Sequence, residues 1–556
     1  METGSGYGVA TGWFLRLLGA VYLIAFASLW VQIEGLVGSE GILPVADYLE
    51  LIGERMGAER YWKLPTLLWF GNGDTALHLL CGGGVLLSLV LIAGIAPIVV
   101  LPTVWALYLS LVLGGQTFLG FQWDALLLET GLCALFVAPR CRRMPWRGRH
   151  PPPSRAGLWL LWFLLFKLMF LSGAVKLLCM DETWWNLTAL DFHYWTQPLP
   201  TWTAWYAHQL PAWFQKLSVL LTYAIEIALP FLIFTGRIGR RVVAAGTLFL
   251  MLMISWTGNF GFFNLLTMVL CVPLLDDATR GRRTTERTTA GSRFVRISIA
   301  ACASLLIAIS SLTLVRELVR TVPAAHDGIA RTIAVKADRW LLSWAEPTVL
   351  HWTGPFRSIN GYGLFRSMTT ERPEIVLEGS ADGAVWAVYG FKWKPGELNR
   401  RPGFVAPHMP RLDWQMWFAA LNPPGAQHWL SGLMRGVLRG SPDVLALLEH
   451  NPFPDEPPRY VRLMDYRYRF ATPDESREQG VWWSRELRGP LTPPLGIDVV
   501  RLDLEALVFQ FAQAIRPASG QDHLSGFKAP AGEAPRYRAT DVSGAQDRES
   551  SFLFHR

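Results

Sequence analysis

The residues best placed to do chemistry lie between Phe166 and His208, in FKLMFLSGAVKLLCMDETWWNLTALDFHYWTQPLPTWTAWYAH. The stretch opens as an apolar segment long enough to enter a bilayer and carries Lys167 and Lys176 inside that segment. It then leaves through a loop holding Asp181, Trp185, His193, Gln197 and His208. A lysine in hydrocarbon costs a few kcal/mol on insertion scales, so it faces a partner or a wet cavity. One partner is at hand in Glu226, itself inside the apolar run LTYAIEIALPF, and an ion pair between the two would fix two helices together. A ligand or partner-protein contact at Lys176 is another reading. His193 and His208 share the loop with Asp191, but no HxxxH or HExxH spacing occurs, which favours interfacial hydrogen bonding over metal ligation. No metal and no cofactor is expected.

A second set of polar groups sits in two related segments. GGQTFLGFQWDALLLETGLCALF and TGNFGFFNLLTMVLCVPLL share Thr/Gly, Phe, Gly-Phe, and then Asp124 or Asn264 before a Leu-rich run. Gly-rich backbone at membrane depth is tolerated only where protein or a water-filled cavity satisfies it. The pair reads either as the lining of one outward-opening cavity or as two ordinary short re-entrant turns. No GxSxG elbow exists, so the chain is not itself a lipase. Six cysteines lie in or beside apolar segments with no CxxC, which argues against thiol-disulfide exchange and a cysteine zinc site.

The elements that position these groups can be read from composition. The chain of 556 residues is 51% hydrophobic and only 17% charged, with a mean hydropathy of +0.25; this is an integral membrane protein. Its net charge of +7 resides in arginines clustered between apolar spans, a topogenic pattern that speaks against a nucleic-acid partner. Apolar spans are expected at about 13–33, 75–95, 97–114, 123–138, 157–178, 215–235, 242–257, 262–275 and 297–315, about nine in all. The loop Glu34 to Lys63 has six acids against three bases and reads as outside, whereas Arg140 to Arg155 has six arginines and no acid and reads as cytoplasmic. The same rule places the loop after Lys176 outside and GRIGRR and Arg280 to Arg296 inside, so the last span delivers the remainder of the chain to the outside.

From about residue 316 the composition becomes soluble. IVLEGSADGAVWAVYGF reads as a hairpin about Asp382-Gly383, and Tyr460 to Phe470 alternates as a half-buried strand with Tyr466, Tyr468 and Phe470 on one face. Helical spacing occupies Trp414 to Leu421 and Trp429 to His450, while Trp482 and Trp483 suit a core or a membrane interface. The expected architecture is a polytopic α-helical membrane domain over 1–315, a mainly β, sandwich-like extracytoplasmic domain with inserted helices over 316–515, and a disordered tail over 516–556.

Several blocks carry a resemblance. GYGLFRSMTTERPEIVLEGSADG, FKWKPGELNRRPGFVAPHMPRLDWQMWFAAL and NPFPDEPPRYVRLMDYRYRF resemble signature segments of the lipase maturation factor family, as do FLRLLGAVYLIAFASL with GSEGILPVADYL, and SGAVKL with TALDFHYWTQPLPTWTAWYAH. The resemblance implies a membrane-resident, chaperone-like factor, in eukaryotes of the endoplasmic reticulum, whose partners are the bilayer and exported lipase-like clients. Arg- and Ala-rich loops resemble a bacterial chain, for which a plasma-membrane site with the C-terminal domain outside the cytoplasm is expected. Animal members have cysteines at the positions of Trp393 and Gly403, and this chain lacks both. In this setting Arg366, Arg372, Arg400 and Arg401, with Trp414 and Trp417, are either salt-bridge formers and core or an exposed surface that holds partly folded clients. SGAVKLLCMDETWW is more distantly similar to vitamin K-dependent gamma-glutamyl carboxylases, and that resemblance implies a membrane enzyme with Lys176 as the base. A desolvated amine has its pKa lowered toward neutrality, as a general base requires.

Overall fold

A computed structural model describes residues 6–146, 152–277, 293–325 and 328–500. Parts of both arginine-rich loops and the C-terminal tail lie outside the described residues. Seven described helices are long and apolar enough to cross a membrane: α1 (Gly8–Trp30), α2 (Asp74–Ala93), α3 (Pro97–Gly114), α5 (Arg155–Leu178), α6 (Ala212–Thr235), α7 (Arg237–Thr257) and α9 (Arg293–Thr321). The two remaining expected spans are shorter. They are α4, Gln122–Leu135, with 14 residues, and α8, Phe263–Leu274; neither reaches the roughly 20 residues that span hydrocarbon. Among the described residues, seven of the expected spans are thus long helices and two are short ones. The cause is local: non-helical backbone precedes each short helix, and each carries buried polar side chains, Asp124 and Glu129 on α4 and Asn264 on α8.

Sequence explains the tight α2 to α3 corner. Gly94 closes α2 in the left-handed region at φ 77, and Pro97 stands at the first turn of α3, where its missing N–H is harmless. Ser154 caps α5 by accepting from the Gly157 amide at 3.2 Å.

After α9 the chain forms a nearly continuous helix, α10 (329–353), interrupted by two π turns. It packs against α9 through Ala345, Leu350 and Val349 with Leu306, Ile309 and Leu312. A sheet follows, with antiparallel order β2-β1-β5-β6. Its strands are β1 (Arg372–Ser380), β2 (Ala387–Val388), β5 (Tyr460–Phe470) and β6 (Trp483–Pro490). Outside this sheet, β3 (Gly390–Phe391) pairs only with β4 (Leu448–His450). The hairpin about Asp382-Gly383 joins β1 to β2, with Gly379 opposite Ala387, and Gly383 holds the turn at φ 78. In β5, Tyr468 and Phe470 are buried as the alternation requires. Helices α11 (Arg411–Leu421) and α12 (Pro423–Leu438) are inserted between strands. The rest of the segment expected to be helical up to His450 becomes a short helix, Pro442–Leu445, and then β4.

One hydrophobic core runs through both halves of the chain. Phe118 meets Trp429 edge-on at 5.9 Å, Trp123 meets Trp414 at 4.7 Å, and Phe260 meets both Phe365 and Trp414. Buried aromatics of this size contribute a large apolar area and oriented ring contacts. The positions of Trp393 and Gly403 are neighbours: a Cβ on Gly403 would lie 3.8 Å from the Trp393 ring.

Candidate functional site

Lys176 lies near the end of α5, where a glycine lets α6 approach. A Cβ on Gly173 would fall 2.5 Å from the Ile227 side chain and 2.8 Å from that of Glu226, so only glycine permits this contact. Across the gap a π turn at Ala224–Ala228 carries Glu226. Lys176 Nζ donates to Glu226 Oε2 at 2.6 Å and to the Ser172 carbonyl at 2.8 Å, and it sits 5.3 Å from the centre of the Trp184 ring. Both ions are buried.

The loop beyond α5 is braced against the segment that precedes β1. Asp181 caps the turn Glu182–Trp185 by accepting from the Thr183 amide, and its second oxygen accepts from the Met368 amide at 3.0 Å. Trp184 donates to the Phe365 carbonyl at 3.0 Å, Cys179 Sγ to the Arg366 carbonyl at 2.7 Å, and Tyr223 to the Trp184 carbonyl at 2.9 Å. Trp185 is exposed and donates to the Leu177 carbonyl. Gln197 donates to the Thr257 and Tyr194 carbonyls.

His193 stands edge-on to Phe365 at 4.7 Å. Burial, reinforced by the nearby Lys176 charge, lowers its pKa from 6.5 to about 4, so the ring is neutral at physiological pH. His208 is likewise lowered by burial, with Asp191 opposing, and it packs on Phe470. Among the described residues no group of three His, Cys, Asp or Glu side chains could hold a metal ion.

Chemically, the Lys176 arrangement is a buried salt bridge. Its amine nitrogen is held by a carboxylate and a carbonyl rather than turned toward open space. A base would need the opposite arrangement.

Four further buried charge clusters join the two halves of the chain. Glu129 on α4 accepts from Lys167 at 2.5 Å, from Tyr362 Oη at 2.6 Å and from the Asn360 amide at 3.0 Å, while Lys167 also donates to Ser310 on α9. Asp124 takes both terminal nitrogens of Arg411 at 2.9 and 2.8 Å, together with Tyr108 Oη at 2.5 Å. Arg372 pairs with Glu374, which also takes Lys394, and donates to the carbonyls of Trp195, Gln197 and Pro198. Arg366 pairs with Glu317 at 2.8 Å.

These contacts bear on two readings left open by the sequence. Arg366, Arg372, Trp414 and Trp417 are buried, which fits the reading of salt-bridge formers and core: two are internal counter-ions and two are core aromatics. Trp417 moreover donates to the Thr196 carbonyl. Side chains occupy the space between the repeat segments: Trp414 packs on Trp123 and Phe260, and Met409 lies against Gly261. Asn264 is turned to Ser255 Oγ at 3.0 Å. Arg400 and Arg401 remain at the surface, the first paired with Glu449 and the second 5.8 Å from the Trp202 ring.

Glu129, Glu317, Lys394 and Arg411 escaped the sequence reading. Glu129 alone carried a usable signal, an acid inside the apolar run LLLETGLCALF.

Two family models match the chain: the lipase maturation factor transmembrane domain over residues 9–282 and the lipase maturation factor C-terminal domain over 358–493. The chain is 37% identical to human lipase maturation factor 2, covering 90% of this chain and 84% of the relative. It is 36% identical to the chicken lipase maturation factor 2, over 88% and 82%, and 35% identical to human lipase maturation factor 1, over 88% of each. No solved structure matches. The carboxylase-like reading of Lys176 gains no support from these relatives.

Proposed function

The chain belongs to the lipase maturation factor family, and from that premise we propose that it is a membrane-bound factor assisting the folding or assembly of secreted lipases or similar exported enzymes. The observation that carries this reading is similarity to named maturation factors across both halves of the chain. The site geometry supports a non-enzymatic role, because the candidate base, Lys176, is occupied by Glu226.

In this reading the membrane helices hold a C-terminal region on the outer side of the bilayer, and the surface around Arg400 and Arg401 meets the client. Beside Arg401, Phe404 and Trp393 are 47% and 39% exposed, an arginine-aromatic combination typical of contact surfaces. The test measures the amount and specific activity of exported lipase in cells lacking the gene and complemented with wild type or with Arg401→Ala/Phe404→Ala. Inactive lipase at unchanged synthesis in the deletion, rescued by wild type alone, supports both the role and the surface. Full rescue by the double variant removes the surface, and unchanged lipase in the deletion removes the role.

A further inference from the structure

Residues 329–366 lie mostly between the two segments that match family models, 9–282 and 358–493. We propose that α10 is a re-entrant helix whose tryptophan face contacts lipid acyl chains, so that the chain, having left the bilayer at the end of α9, dips back to mid-membrane depth before entering the sheet.

Depth follows from the partners of α10 and of the strand-like leg after it. Arg320, at the outer end of α9, pairs with Glu346. Further along α10, Leu350 packs with Ile309 and Leu306. On α9, Ile309 and Leu306 lie eleven and fourteen residues before Arg320, about 16–21 Å along that helix, whereas Glu346 to Leu350 is a step of about 6 Å along α10 in the same direction at 1.5 Å per residue. The later residues of α10 thus run antiparallel to α9 and toward its middle. The helix ends at Gly354–Phe356, and Arg357 reverses the chain in the left-handed region at φ 49. Ser358 then accepts from Trp105, mid-way along α3, and Asn360 and Tyr362 bond Glu129, the partner of Lys167 at the centre of α5. Three spanning helices therefore put residues 350–362 at the same level.

The returning leg is buried in protein, the condition for irregular backbone inside a membrane, and several of its amide groups find protein partners there. Asn360 is fully buried and its amide donates to Glu129. The Gly363 amide donates to Gln122 Oε1 at 3.2 Å, and the Asn360 side chain donates to the Ala125 and Arg357 carbonyls.

The opposite face of α10 is exposed and rich in tryptophan, with Ser343, Thr348 and His351 as the exposed polar residues beyond Arg339. Leu342, Ala345 and Leu350 are buried against α9, whereas Trp340, Trp344 and Trp352 are 79%, 57% and 69% exposed. Charge ends where the descent begins. Glu346 is paired with Arg320, Arg339 lies over the Trp340 ring, and 347–356, PTVLHWTGPF, contains no Asp, Glu, Lys or Arg. Tryptophans at the headgroup level followed by an uncharged segment form the pattern of a membrane-inserted element. α9 itself carries exposed apolar side chains, with Leu305 61% exposed.

The test uses the full chain reconstituted in phosphatidylcholine vesicles that contain a phospholipid with a diazirine at the acyl terminus, and in parallel one with the diazirine on the headgroup. Adducts are mapped by peptide mass spectrometry, with Leu305 and its neighbours on α9 as internal reference. The expected result is acyl-terminus labelling at Trp352 and Phe356 comparable to that at Leu305, and headgroup-probe labelling at Trp340. Labelling of α9 with none on 340–356 overturns the proposal, whether water or a second copy of the chain covers the face. Trp352→Asp gives an independent reading: loss of vesicle-assembled protein is expected, and unchanged assembly and labelling overturns the proposal.

Discussion

The Lys176–Glu226 pair separates a structural lysine from a catalytic one through a double-mutant cycle. Lys176→Met removes one ion and leaves Glu226 buried without its counter-ion, which costs about 3–5 kcal/mol. At 1.4 kcal/mol per tenfold, that lowers the folded-to-unfolded ratio by roughly two to three and a half powers of ten. Glu226→Leu strands the ammonium and is expected to cost a similar amount. With both replaced, Met and Leu fill much the same volume between α5 and α6, and exchange of a buried ion pair for apolar groups is near neutral. Lys176→Met/Glu226→Leu should therefore return to within about 2 kcal/mol of wild type. The assay is the temperature at which detergent-solubilised protein loses its monodisperse elution peak, together with export of active lipase by complemented cells. Both singles should fall and the double should recover in both readouts. A double variant that is as stable as wild type yet exports no active lipase would refute the structural reading and restore Lys176 to chemistry. Additive losses would refute the pair as the source of the stability.

Four other outcomes are expected. Arg411→Leu strands Asp124 beside Tyr108 alone and should cost about 3–5 kcal/mol; in the intact chain this reads as protease cleavage near α11 at lower protease concentration. Tyr362→Phe removes one donor to the Glu129 carboxylate and should cost about 1.5–3 kcal/mol, measured by the same elution assay. Gly173→Leu must collide with Ile227 and Glu226 and should reduce thermal stability by at least the about 1–3 kcal/mol typical of overpacking, whereas an unchanged melting temperature would show that α5 and α6 can separate freely. His193 supplies the pH dependence. Its folded pKa of about 4 lies below the unfolded 6.5, so between these values the unfolded chain binds more protons and stability falls as pH falls through that window. Between pH 6.5 and 5 the loss should be about 1–2 kcal/mol, and His193→Gln should flatten that part of the curve.

The resemblance blocks, the seven long apolar helices, the β1–β2 hairpin and the buried face of β5 were legible because each is written locally. Twenty apolar residues can do little but span, and alternation with period two puts one face inward whatever the sheet packs upon. A lysine and an acid in neighbouring apolar runs likewise declare themselves, since neither can stay in hydrocarbon alone. The rest depended on distance in space between residues far apart in sequence. Arg411 looks like an ordinary loop arginine until α11 is brought onto α4, 287 positions away, and Trp414 looks like a surface anchor until it fills the space between the two repeat segments. Lys167 and Glu129 were each visible as a charge in an apolar run, but their pairing, and the return leg at Asn360 and Tyr362 that joins it, were not. Sequence by itself determined that this chain is a membrane protein of one family with charges it must hide. Only the tertiary structure decided which charges hide together, because a buried ion is neutralised by whatever packing brings within about 3 Å of it, and local pattern does not encode that pairing.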